Sequence, residues 1–116
     1  MLRPELTILV DARNVLRSTW PNLSEEDVVE GSSVWAAAHG GRAVVVFDGA
    51  APKGGVGTGA ESADDWIARE AERLRAAGSR FWLVTSDRDL RARAGEGAER
   101  IIGGGTFARE LGRLGE

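Results

Sequence analysis

Three short apolar runs, each leading into an aspartate, constrain this chain more than any other feature. Leu6 to Val10 stops at Asp11, and Ala43 to Phe47 stops at Asp48. Phe81 to Val84 is followed by Thr85, Ser86 and then Asp87. The runs are continuously apolar rather than alternating, which marks strands buried on both faces. Helical segments separate them. Ser24 with Asp27 three residues later opens a helix that runs to Ala38 and ends at His39-Gly40-Gly41. Ser62 with Asp65 opens another, in which Ile67, Ala71 and Leu74 share one face before Ala77-Gly78 ends it. An arginine-rich helix reaches Ala94, Ile101-Ile102 reads as a fourth short strand, and Gly103 to Gly105 turn the chain. Thr106 then caps a helix lined by Phe107, Leu111 and Leu114. Gly49 to Ala60, rich in glycine and without periodicity, reads as a loop. The expected fold is therefore α/β, with a parallel sheet of about four strands flanked by helices on both faces.

At 116 residues the chain has room for one core, so a single domain over residues 1–116 is expected. It has no cysteine and one histidine, His39. That excludes a disulfide framework, a thiolate nucleophile and a multi-histidine zinc site. His39 sits at a helix C-terminus, where partial charge is favourable, and carries no catalytic role. No apolar run approaches the ~20 residues of a membrane span, and Asp11 and Arg13 break the only candidate leader. A soluble cytoplasmic protein is expected. Two glycine patterns, Gly103-x-Gly105-x-x-Ala108 and Gly55-x-Gly57-x-x-Ala60, match a dinucleotide fingerprint only formally. The first lacks a following βα unit, and no strand leads directly into the second.

The acids carry the functional argument. In an open parallel sheet the carboxyl ends of all strands lie along one edge, where ligand crevices form. Asp11, Asp48 and Asp87 should meet there, joined by acids at the start of the following helix. Asp64 lies three residues before Ile67 and seven before Ala71, on the buried face of its helix; Glu61 can project the same way. Asp65 has an ordinary use, as the third residue of the Ser62 cap and four residues before Arg69. Asp89 is either a ligand or the partner of Ser86 in a cap. Asp48 is either a ligand or a turn residue. Converging carboxylates repel one another, and a hard divalent cation such as Mg²⁺ or Mn²⁺ relieves that repulsion. A carboxylate-held ion in a chain without other nucleophile chemistry points to phosphodiester hydrolysis.

The same residues carry a resemblance. Val10-Asp11-Ala12-Arg13-Asn14 resembles the Asp-x-x-Asn opening of NYN domains, members of the PIN-like nuclease superfamily. Val45 to Gly49 is similar to their second strand. Glu61-Ser62-Ala63-Asp64 looks like the Glu-Thr-Ala-Asp motif of the YacP-like branch, and Thr85 to Asp89 like its Ser-x-Asp turn. The Ile101-to-Phe107 stretch also fits that end of the fold. The resemblance implies a three-layer PIN-like (Rossmannoid) α/β domain, a divalent metal and RNA as substrate. By motif position it assigns Asp11, Asp64 and Asp87 as metal-binding acids and Asn14 as a residue orienting Asp11 or the substrate. Glu61 matches its motif's first letter.

The expected function is a metal-dependent endoribonuclease that leaves a 5′-phosphate and a 3′-hydroxyl. The alternatives are an RNA-binding module that has lost the chemistry, or a small phosphate-ester hydrolase. Catalysis is expected from Asp11, Asp64, Asp87, Asn14 and Glu61, with Asp48 and Asp89 as further metal ligands. RNA contact is expected from Arg13, Arg17, Lys53, Arg88 and Arg91, and Arg93 joins them as a candidate. Trp20 is expected on the domain rim, with base stacking as its alternative. A homodimer is compatible with the sequence but not read from it. The formal charge of −3 is no obstacle to a polyanionic partner, because the six candidate site acids account for it and the remainder is net basic.

Overall fold

The computed structural model describes residues 5–18 and 20–114. In chain order its elements are β1 (Leu6–Asp11), α1 (Ala12–Leu16), α2 (Glu25–Ala38), β2 (Gly41–Phe47) and β3 (Val56–Gly57). There follow α3 (Ala63–Ala76), β4 (Arg80–Val84), α4 (Arg88–Ala94), β5 (Arg100–Ile102) and α5 (Gly104–Leu114). The strands form one parallel sheet in the order β3-β2-β1-β4-β5. β1 is central, and all six of its residues are buried. Its register runs Leu6↔Gly41 to Asp11↔Val46 on one side and Leu6↔Arg80 to Val10↔Val84 on the other.

Alternate residues of β1 feed two cores, as the two-residue strand period requires. Ile8 and Val10 join Val28, Trp35, Phe107 and Leu111 beneath α1, α2 and α5. Leu9 joins Ile67, Ala71, Leu74 and Leu90 beneath α3 and α4. The three layers therefore match the expected architecture. The Ser24 cap of α2 is reciprocal: Ser24 Oγ accepts from Asp27 N and Asp27 Oδ2 accepts from Ser24 N, both at 3.0 Å. Those bonds hold the Asp27 carboxyl below its ordinary range.

The sheet has five strands, not four. β3 lies inside the glycine-rich stretch expected to be a loop, and pairs only Val46↔Val56 and Phe47↔Gly57. Glycine is required there, because a Cβ on Gly57 would lie 2.6 Å from the Gly49 carbonyl oxygen. The segment after Asp11 forms a one-turn helix, to which the sequence pattern assigns no element. Thr106 lies inside α5, which already begins at Gly104, with Phe107 N donating to Gly103 O. Trp20 is 77% exposed and does not pack on the rim. His39 caps the C-terminus of α2, with its ring stacked on Trp35 at 3.8 Å between centroids. Among the described residues no helix is long and apolar enough to cross a membrane.

The strand order sets the site. From β1 the chain winds outward through β2 and β3, then returns to the other side of β1 for β4 and β5. The reversal leaves a crevice at the carboxyl ends of β1 and β4, where α/β sheets bind ligands.

Candidate active site at the carboxyl edge of the sheet

Asp11 ends the central strand and is only 5% exposed. Its Oδ2 accepts a hydrogen bond from Thr85 Oγ1 at 3.0 Å. Burial pushes its carboxyl above the ordinary range; the Thr85 hydroxyl and the Asn14 backbone N–H oppose this, while the charges of Asp64 and Asp48 add to it. Thr85 is fully buried just past β4, and its Oγ1 also accepts from Asp87 N at 3.1 Å. A hydroxyl has one proton to give. Thr85 gives its proton to Asp11 and holds the start of the Asp87 turn with a lone pair.

Asp87 is the N-cap of α4, and its Oδ1 accepts from Leu90 N at 2.9 Å. The cap therefore belongs to Asp87 rather than to Ser86 with Asp89. Asp48, just past β2, caps another helix from a distance: its Oδ1 accepts from Ala63 N at 2.9 Å, tying β2 to the start of α3. Its Oδ2 faces Arg13 Nη1 at 3.7 Å in an exposed pair that adds little stability. Asp64 is the second residue of α3. Partial burial pushes its carboxyl up, and the charges of Asp87 and Asp48 push the same way.

These four aspartates, Asp11, Asp48, Asp64 and Asp87, line one cavity of about 150 Å³. Asn14, Ser62, Arg13 and Arg17 complete its wall. Asn14 Oδ1 accepts from Ser86 N at 2.8 Å, and Ser86 Oγ accepts from Gly104 N at 2.8 Å. A Cβ on Gly104 would overlap Asn14 Oδ1, so only glycine allows α5 to start so close to α1. This clamp joins three segments at the rim.

Other candidates lie elsewhere. Glu61 precedes the Ser62 cap rather than standing on α3, and both its oxygens engage Arg69. Its carboxyl is held below the ordinary range by that bond. Asp65 pairs with Arg93 at 2.7 Å, rather than with Arg69. Asp89 is exposed in the first turn of α4 and does not line the cavity. Lys53 and Arg88 are exposed and also outside the lining. Arg91 donates from Nε to Thr85 O at 2.8 Å, a structural use. Thr85 was the residue least visible in the sequence, because its partner Asp11 is 74 positions away.

Among the described residues no three acids or histidines stand close enough to form a ready-made metal site. The aspartates make a ring rather than a tight cluster. Their chemistry nevertheless fits a hard divalent cation: the ring offers only oxygen donors, and at Asp64 neighbouring carboxylates add repulsion that such an ion would relieve.

No family model matches the sequence, and no curated protein does. The fold has solved counterparts. A crystal structure of a tryptophan-to-leucine mutant of Rae1 (YacP) from Bacillus subtilis superposes with a TM-score of 0.73 at 24% identity. It covers 94% of this chain and 76% of that one. A second crystal structure of Rae1 (YacP) from the same organism gives 0.67 at 22% identity, with 94% and 75% covered. This chain therefore has the three-layer fold of the YacP structures, which is the branch its motifs resemble.

Proposed function

We propose that this chain is a single NYN/PIN-like domain that cleaves RNA phosphodiester bonds with the help of Mg²⁺ or Mn²⁺. The observation that carries the reading is the ring of four aspartates around one cavity at the sheet's switch point. Its support is the YacP-type fold, together with the sequence resemblance that assigns Asp11, Asp64 and Asp87 as metal-binding acids. Those three would hold the ion, with Asp48 beside them. When bound, a divalent cation supplies positive charge to phosphate oxygens and lowers the pKa of water.

The chain's own residues have distinct tasks in this reading. Thr85 donates to one oxygen of Asp11 and so favours its charged form. Asp48 and Asp87 each spend one oxygen on a helix N-terminus; the other oxygen of Asp87 stays available, while that of Asp48 faces Arg13 in a loose, exposed pair. Asn14 has its Oδ1 fixed by Ser86, which sets the direction of its Nδ2 donors toward substrate or Asp11. Arg13 and Arg17, on the cavity wall, pair with phosphates flanking the cut. RNA in the cytoplasm is the proposed partner.

Incubating the chain with a 5′-labelled single-stranded RNA, with and without Mn²⁺, tests the reading. Metal-dependent cleavage that Asp11→Asn abolishes supports it. Cleavage that persists in chelator, or in the Asp11→Asn/Asp87→Asn double variant, overturns it. The open spacing of the acids favours one rival, an RNA-binding module without catalysis. RNA binding without Mn²⁺ uptake in calorimetry would select that rival.

A further inference from the structure

A second cavity, of about 310 Å³, adjoins the aspartate ring. Arg13 and Asp48 line both cavities, so the two are neighbours on either side of that ion pair. The rest of the second lining is Leu16, Phe47 and Glu25. Half-buried Leu16 supplies most of the apolar surface, and Phe47, only 4% exposed, adds an edge. Glu25 is the first residue of α2, exposed, and without an ion-pair partner among the described residues.

The chemistry of this hollow differs from that of the ring. Apart from Arg13, its walls offer a phosphate only two carboxylates, Glu25 and Asp48, and two apolar side chains. A planar ring bearing N–H groups would use every wall: apolar faces against Leu16 and Phe47, the guanidinium of Arg13 over its π-system, and donors toward Glu25. A strand with its phosphate at the aspartate ring carries a base within reach of the neighbouring hollow. We propose that this hollow is a subsite for one nucleobase of the strand held at the ring, and that Glu25 makes it select guanine. The proposal rests on the nuclease reading and adds the base that reading leaves open.

The selection follows from donor patterns. Guanine presents two parallel donors, N1–H and the N2 amino group, which match the two oxygens of a carboxylate. Adenine and cytosine each place a ring-nitrogen acceptor beside their amino donor. Uracil flanks its single N–H with two carbonyls. Each of these sets a lone pair against Glu25.

Two measurements test the proposal. The first is the cleavage rate on four otherwise identical single-stranded RNAs with G, A, C or U beside one bond. The second is binding of the four nucleoside 5′-monophosphates to the metal-free chain, read from the Leu16 methyl resonances with Leu114 as a distant control. We expect guanine to be preferred by about tenfold or more in cleavage. GMP alone should shift Leu16, and Glu25→Gln should level the four bases in both measurements. RNA cleaved without base preference, or a guanine preference that survives Glu25→Gln, overturns the subsite and leaves the nuclease reading standing. GMP binding that depends on Glu25, in a chain that cleaves no RNA, supports the subsite and overturns the nuclease reading instead.

Discussion

Two neighbouring sets of carboxylates, one at the end of β1 and the start of α3 and the other flanking it at that same helix start, behave in opposite ways. Asp64 points into the ring with Asp11, and burial together with nearby negative charge pushes both carboxyls up. Glu61 and Asp65 flank it within a few residues, yet each is held down by a guanidinium, Arg69 for one and Arg93 for the other. Each outer acid is closely paired. The ring acids compete with each other: Arg93, bonded to Asp65, only partly relieves Asp64, and Arg13 stands 3.7 Å from Asp48. The difference teaches that charge near the site is sorted by partner, not by residue type. An acid without a guanidinium is the one that gains from a cation.

The largest effect should break the ring itself. Asp11→Asn keeps the shape but removes the charge, and is expected to lower RNA cleavage by about 10²–10⁴-fold in a single-turnover assay. Thr85→Val should come next. It is nearly isosteric but removes the donor to Asp11 and the acceptor for Asp87 N. Unfolding in urea should show a loss of about 1–3 kcal/mol, and cleavage should fall about 10–100-fold.

Proton linkage sharpens the comparison further. A carboxyl whose folded pKa lies above its unfolded value binds more protons when folded. It therefore lowers stability as pH rises from the unfolded pKa through the folded one. Asp11 and Asp64 have this sign, while Glu61 and Asp65 have the reverse and lose their contribution as pH falls through their lowered folded pKa values. Mn²⁺ should thus raise Tm at pH 7, and the rise should shrink as pH approaches the raised carboxyl range. Asp64→Asn should raise Tm by a few degrees without metal and abolish the Mn²⁺ increment. A metal-free Tm unchanged by that substitution would show that the ring carries no net repulsion. The smallest effect belongs to the paired set: Glu61→Gln should change the cleavage rate by less than about threefold, and a larger loss would move Glu61 into the site.

The sheet was legible wherever burial left a long signature. β1, β2 and β4 are covered on both faces, so their apolar runs could be read directly. β3 was not, because two residues pair along β2 within a stretch whose glycines serve close backbone approach. α1 was missed because it is one turn long and opens on Asp11 without a side-chain cap. In the site, helical spacing placed Asp64 correctly, since it lies within α3. The same counting failed for Glu61, which precedes the Ser62 cap and so does not follow helical geometry. Thr85 and Ser86 act through partners far away in the chain, and local pattern carries no trace of such a bond.

The clamp of Asn14, Ser86 and Gly104 also bears on how the molecule comes into being. Asp11 and Asn14 leave the ribosome among the first residues described, but their surroundings arrive much later. Thr85 N needs Ile102 O, and Ser86 Oγ needs Gly104 N, before the wall around Asp11 is braced. Domains tend to fold as units during synthesis. A nascent chain halted short of Gly104 therefore carries every aspartate of the ring without the brace that aligns them. On the nuclease reading, such a chain is held inactive by its own unfinished state.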